Sequence, residues 1–221
     1  MTGPSGPDTP THAAGALRIG GVATLSTVDW PGELVATVFL QGCPWRCPYC
    51  HNPHLLDTRA DGSVTWPWLE AFLKTREGLL DGVVFSGGEP LVQGGPNGPL
   101  AAAIAHVRAR GFRPALHTGG AWPERLRAVL PLLDWVGFDM KAPFEDYDAL
   151  TGREGSGLRA RESLEALLES GVPHQIRTTV HPRLLPDEAL DRLRADLAAL
   201  GASEPVIQKF RKEGCVTGSL L

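Results

Sequence analysis

From residue 34 onward the chain alternates two hydrophobic patterns. Residues 34–40 are almost wholly apolar, as a strand buried on both faces requires. Trp68, Leu69, Phe72 and Leu73 then recur at helical spacing and predict a helix over 68–76, with Gly78 or Gly82 as its stop. The alternation becomes regular beyond this point. Strands are predicted at 82–86, 114–118, 134–140, 174–180 and 205–210, and helices at 100–110, 123–130, 158–170 and 187–200. Gly111, Gly171 and Gly201 sit where three of those helices should end. Residues 18–32, with two glycine signals and Pro31-Gly32, read as a short strand and a turn.

Six strand candidates alternating with helices argue an α/β protein with a parallel sheet and crossover helices. The handedness of such crossovers is compatible with a barrel or an open sheet, and the pattern alone leaves both open. Composition narrows the setting. The chain has 221 residues and a net charge of −4, which suits one domain with a substantial core and gives no reason to expect nucleic acid or an anionic membrane as partner. Residues 1–16, rich in Pro, Gly, Thr and Ala, read as a disordered tail without the features of a secretory signal, leaving 17–221 as the domain. No apolar run approaches the roughly 20 residues that span a bilayer. Cysteines at ligand spacing point to a reducing, cytoplasmic interior.

Three of the four cysteines, Cys43, Cys47 and Cys50, fall within eight residues, and the fourth is Cys215. Pro44, Pro48 and Pro53 disfavour a helix there, so a compact loop is expected whose sulfurs can converge on one centre. Three thiolates suit zinc or an iron-sulfur cluster, and either has four positions to fill. One stays open, and therefore reactive, unless His51 or Cys215 closes it. The other suggestive residues also follow strands: Ser86-Gly87-Gly88-Glu89-Pro90 the second, His117-Thr118-Gly119-Gly120 the third, Asp139-Met140-Lys141 the fourth. In a parallel sheet those ends share one rim, so a single site is expected. The glycine turn lets backbone approach a ligand, and Glu89 adds a carboxylate able to accept from an ammonium group. Asp139 and Lys141 should point the same way, and Arg177, in a strand, must be paired if buried. Gln208 and Lys209 are weaker candidates to face the pocket.

The CxxxCxxC spacing, with Tyr49 just before its last cysteine, resembles the signature of radical S-adenosylmethionine enzymes. The longer run Ser26-Thr-Val-Asp-Trp-Pro-Gly32, then Val38-Phe-Leu-Gln-Gly-Cys43 through Cys50-His-Asn-Pro53, resembles a narrower group, the activating proteins of anaerobic ribonucleoside-triphosphate reductase, relatives of the pyruvate formate-lyase activases. The resemblance runs from about residue 18 to about 215 and is densest over the first hundred residues. It implies a partial (β/α)6 TIM-like barrel. It also implies that Cys43, Cys47 and Cys50 hold three irons of a [4Fe-4S] cluster, whose fourth iron takes the amino and carboxylate groups of S-adenosyl-L-methionine. Tyr49 would pack on the adenine, Ser86, Gly87, Gly88 and Glu89 would serve the amino group, and Thr118 would contact adenosine or methionine. Asp139 and Lys141 would contact the cofactor or a bound cation, and Arg177 its carboxylate or ribose. His51 and Asn52 would lie behind the ligands, Cys215 would be a spare thiol, and Trp30, Trp45, Trp66 and Trp68 would pack around the cluster loop. The activases typically carry Asp-Thr-Asn-Gly where this chain has His117-Thr118-Gly119-Gly120, and that Asp helps hold a monovalent cation. A neutral imidazole supplies less negative field, so the cation is in doubt here.

The implied activity is reductive cleavage of the cofactor and removal of a hydrogen atom from a glycine Cα in the C-terminal loop of the reductase, with flavodoxin or ferredoxin as electron donor. Three rivals stand beside it: a radical enzyme acting on a small molecule, as in deazaguanine synthesis; a non-catalytic iron-sulfur electron carrier, which needs a fourth ligand; and a zinc protein with three cysteines and a histidine.

Overall fold

The computed structural model describes residues 13–212, 214 and 215. Its core is one seven-stranded sheet in sequential order, β1 (Ile19–Ser26), β2 (Val35–Leu40), β3 (Gly82–Gly87), β4 (Arg113–Thr118), β5 (Trp135–Asp139), β6 (His174–Val180) and β7 (Val206–Lys209). β1 runs antiparallel to β2, and β2 through β7 are parallel. The six parallel strands are those expected from the pattern, and the short strand in residues 18–32 is the antiparallel edge. Helices α1 (Trp66–Lys74), α2 (Pro99–Ala109), α3 (Pro123–Val129), α4 (Tyr147–Thr151), α5 (Ser156–Ser170) and α6 (Asp187–Ala199) fill the connections.

Helix limits follow local chemistry. α1 starts two residues earlier than its apolar spacing suggests, because Thr65 caps it through the Trp68 amide and Pro67 suits its first turn. α5 lies between Gly155 and Gly171, both left-handed, with φ of 71° and 68°. α4 is too short to show a hydrophobic period, so the pattern gave no sign of it. Of the expected tail, residues 1–12 lie outside the described residues, while residues 13–16 form a turn whose Ala14 is fully buried.

Strand order without a reversal has a consequence. Crossovers of one hand that always step in one direction put their helices on the same face, so the opposite face must be covered by curvature or by loops. This is consistent with an incomplete barrel core. Strand alternation divides the core accordingly. Val83, Phe85, Leu116, Val136, Phe138 and Ile176 join the large cluster on the helix side. Val35, Val84, Ala115 and Trp135 form a separate small cluster with Trp30 on the other face. Trp30 stacks on Trp135 at 5.7 Å, and the Arg113 guanidinium lies 4.5 Å over its ring. The Asp29-Trp30-Pro31-Gly32 turn is therefore a floor for the inner face. Above it, at the carboxyl ends of the strands, the inward positions become polar. No helix among the described residues is long and apolar enough to cross a membrane.

Candidate functional site

The polar end of the inner face is a cavity of about 270 Å³. All three cysteines and all nine cofactor residues expected from the sequence line it. Asp29, Trp45, Leu56, Thr179 and Gln208 complete much of the wall.

The cysteine loop leaves β2 through Gln41 and Gly42, whose φ of 102° needs glycine. Two buried amides fix its course. Gln41 donates from its side chain to the carbonyls of His54 and Asp57, while Gln93 donates to those of Arg18 and Gln41 and accepts from the Arg18 amide at 2.8 Å. Arg46 donates to the carbonyls of Cys43 and Trp45, both at 2.9 Å. Cys43 is buried and Cys47 and Cys50 are half-buried. Burial pushes the Cys43 thiol up to about 12 and raises Cys47. The sulfurs share one cavity but do not converge as expected. Among the described residues no three Cys, His, Asp or Glu side chains form a group that could hold a metal ion.

The Gly-Gly-Glu turn is packed from behind. A Cβ on Gly87, which has φ of 120°, would collide with the Leu40 backbone, and one on Gly88 with the Gly42 carbonyl. These glycines thus seat β3 against the cysteine loop, and the Glu89 amide donates to Gly42 O at 2.8 Å. Glu89 itself is 2% exposed. Its carboxylate accepts from Thr118 Oγ1 at 2.7 Å, the Gly119 amide at 2.9 Å and the Leu91 amide at 3.1 Å. Burial raises its pKa, and these three donors only partly offset that. The Glu89 carboxylate, which lines the cavity, also ties two rim loops together.

On the opposite wall the Arg177 guanidinium grips Asp139 Oδ1 from Nε at 3.0 Å and Nη2 at 2.8 Å. Its Nη1 lies 3.0 Å from His117 Nε2, which is also 2.7 Å from the Asp29 carbonyl. The arginine crosses β5 where Gly137 leaves room, since a Cβ there would meet Arg177 Cζ at 2.8 Å. Burial and then Arg177 drive His117 down to about 4, so it is neutral near pH 7. Burial would raise Asp139, but Arg177 and Lys141 outweigh it and hold the carboxyl below its usual value. Burial also works against the charge of Lys141, yet Tyr49, Asp139 and Cys47 keep its pKa above that of an ordinary lysine. Lys141 reaches to 3.9 Å from Asp139 and 5.8 Å above the Trp45 ring.

Sequence reasoning missed Trp45, a cavity wall residue that it took as general packing. A Cβ on Gly119 would strike the Trp45 ring and lie 3.0 Å from Lys141 Cε. The signal was Gly119, whose missing side chain leaves room for the ring. Asp29 was read only as part of a motif, but it accepts from Thr37 Oγ1 at 2.6 Å and fixes the floor. The carboxyl-terminal segment folds back on the cysteine loop: His51 Nε2 meets Arg211 O at 2.9 Å, and Cys215 Sγ donates to Tyr49 O at 3.3 Å.

A Methanocaldococcus jannaschii protein, named as a candidate glycyl-radical enzyme activating enzyme, is 27% identical over 198 residues, which is 85% of this chain and 80% of that protein. The pyruvate formate-lyase-activating enzyme of Clostridium pasteurianum is 32% identical over 172 residues, 76% of this chain and 70% of that one. A 7-carboxy-7-deazaguanine synthase of Methanopyrus kandleri is 35% identical over 130 residues, covering 51% of each. Among solved structures, QueE from Escherichia coli matches with a TM-score of 0.50 at 16% identity, over 91% of this chain and 98% of that chain. Native anSMEcpe with bound AdoMet and a peptide matches with a TM-score of 0.60 at 15% identity, over 77% of this chain and only 49% of that chain. The sequence profile of the Radical SAM superfamily matches residues 37–195, and the chain belongs to that superfamily.

Proposed function

We propose that Cys43, Cys47 and Cys50 hold a [4Fe-4S] cluster and that the same cavity binds S-adenosyl-L-methionine. The observation that carries this reading is the gathering of three thiols and the nine other expected residues, from loops far apart in sequence, around one cavity. The donor set fits. A cluster takes one thiolate at each of three irons, so the sulfurs need not converge on a point. Buried thiols with raised pKa values ionise when a cation is beside them. When bound, the reduced cluster and cofactor supply a carbon radical able to take a hydrogen atom from a C–H bond.

The chain's own residues bind and orient. Lys141 and Arg177 bring positive charge toward a carboxylate, Asp139 offers an acceptor, Tyr49 offers an aromatic face, and Trp45 limits access of water. Arg177 already sets a fixed positive charge between His117 and Asp139, so a monovalent cation has no required part in this reading.

For the substrate, the reading is a glycine in the C-terminal loop of a partner glycyl-radical enzyme, anaerobic ribonucleoside-triphosphate reductase, with flavodoxin or ferredoxin as electron donor in a reducing cytoplasm. Support comes from relatives that carry activating-enzyme names across most of the chain. A second reading, a small-molecule substrate, is favoured by the identity with 7-carboxy-7-deazaguanine synthases. Anaerobic reconstitution with iron and sulfide, reduction with S-adenosyl-L-methionine, and assay of 5'-deoxyadenosine with and without the candidate reductase test both readings. A glycyl radical signal in the reductase supports the first. Cleavage without that signal, with turnover of a pterin substrate, moves the assignment to the second. Loss of cleavage on replacing any one of the three cysteines is expected, and unchanged cleavage overturns the cluster assignment.

A further inference from the structure

We infer that β7 is a docking edge on which an extended segment of the protein substrate adds as an eighth strand. This rests on the protein-substrate reading above and says where that substrate binds. β7 is bonded on one side to β6 and has no partner on the other side among the described residues. All four of its residues are exposed, with Val206 at 45% and Ile207 at 40%. An apolar sheet edge left open is normally covered or broken by proline, charge or a bulge. Lys209 is the only such device within this strand.

The direction of the free groups follows from one bond. The Phe210 amide donates to Val180 O at 3.1 Å, so Phe210 faces β6. In a strand the sides alternate, so Gln208 and Val206 also turn their peptide groups to β6, while Ile207 and Lys209 turn theirs outward. An added strand thus finds two N–H and two C=O groups already in line, the arrangement used in recognition by strand addition.

The edge is continuous with the site, because Gln208 lines the cavity with Arg177 and Thr179 of β6. A chain bonded along β7 therefore passes the cavity mouth, where a residue without a side chain can be presented. Lys209, Arg211 and Lys212 are exposed and form no ion pair among the described residues. They fit acidic positions flanking the docked segment.

The test uses a synthetic peptide from the glycine-bearing C-terminal segment of the candidate ribonucleotide reductase. With wild-type protein loaded with cluster and cofactor, amide hydrogen exchange at Ile207 and Lys209 is expected to slow when peptide is added. Because their N–H groups face outward, Ile207→Pro and Lys209→Pro leave the β6 ladder intact. Each is expected to weaken peptide affinity by about three- to tenfold, and Ile207→Pro to leave peptide-independent cofactor cleavage unchanged. Peptide binding with unaltered exchange at both amides, or with full affinity in both proline variants, overturns strand addition and leaves the protein-substrate reading standing. Failure of the wild-type protein to bind either the peptide or the intact reductase overturns both. The exchange measurement needs no variant, so misfolding of a proline form does not protect the inference.

Discussion

Replacing Glu89 by Gln separates two roles for this carboxylate, cofactor contact and strut. The side chain is 2% exposed and accepts three hydrogen bonds, two on Oε1 from Thr118 and Leu91 and one on Oε2 from Gly119. An amide has one acceptor oxygen. With that oxygen toward Thr118 and Leu91, the NH2 group faces the Gly119 N–H, and a buried donor is left unpaired at about 1–3 kcal/mol. Part of this is offset, because a neutral amide avoids the burial that raises the Glu89 pKa. The expected net loss for Glu89→Gln is about 1–2 kcal/mol, and for Glu89→Ala, which strands all three donors, about 3 kcal/mol. The assay is urea unfolding of the metal-free chain under anaerobic, reducing conditions, with cofactor affinity of the reconstituted protein measured in parallel. A strut loses stability in the absence of any ligand. If Glu89→Gln unfolds with the wild-type midpoint and only cofactor affinity falls, the strut argument is refuted and Glu89 is a direct contact.

Other outcomes follow from the same geometry. Gly87→Ala forces a left-handed residue and a Cβ into the Leu40 backbone, so a loss of at least about 2 kcal/mol is expected, measured as the shift in denaturation midpoint. His117 is held at about 4 against an ordinary 6.5, so the unfolded chain takes up a proton that the folded chain refuses as pH falls below 6.5. Stability should drop through that window by up to about 3 kcal/mol and level off near pH 4, and His117→Asn should remove that part of the slope. A wild-type pH profile identical to that of the variant contradicts this. Cofactor affinity should be the same in sodium, potassium and choline buffers of equal ionic strength, whereas a potassium requirement would restore the cation that Arg177 is argued to make unnecessary.

The strands were legible because each is a short apolar run closed by glycine or by a polar rim residue, and their order followed from regular alternation with helices. The rim was legible for the same reason, since carboxyl ends of parallel strands must meet. What composition concealed were roles set by contacts distant in sequence. Gln41 and Gln93 are 52 residues apart, yet the bond between them closes the cysteine loop. Neither lies in a pattern that marks a buried amide. Gly87 and Gly88 were read as room for a ligand and do line the cavity, and the space a Cβ would need is also occupied by the backbone of Leu40 and Gly42. A glycine pair reports that something comes close, and sequence does not say from which side.

Residues 117–120 sit in two tightly packed sets of side chains. An imidazole at 117 places an uncharged nitrogen between the Asp29 carbonyl and Arg177, and the guanidinium turns its other nitrogens to Asp139. That arginine fits only because residue 137 is glycine. The positive charge there is carried by a side chain of β6. Gly119 follows the same logic, because the volume a side chain there would take is filled by Trp45, against which Lys141 lies. His117, Arg177 and Gly137 form one set, and Gly119, Trp45 and Lys141 another. Exchanging a single member of either set, as in Gly119→Asn, displaces a neighbour that lines the cavity, so it should weaken cofactor binding, measured by titration of the reconstituted protein.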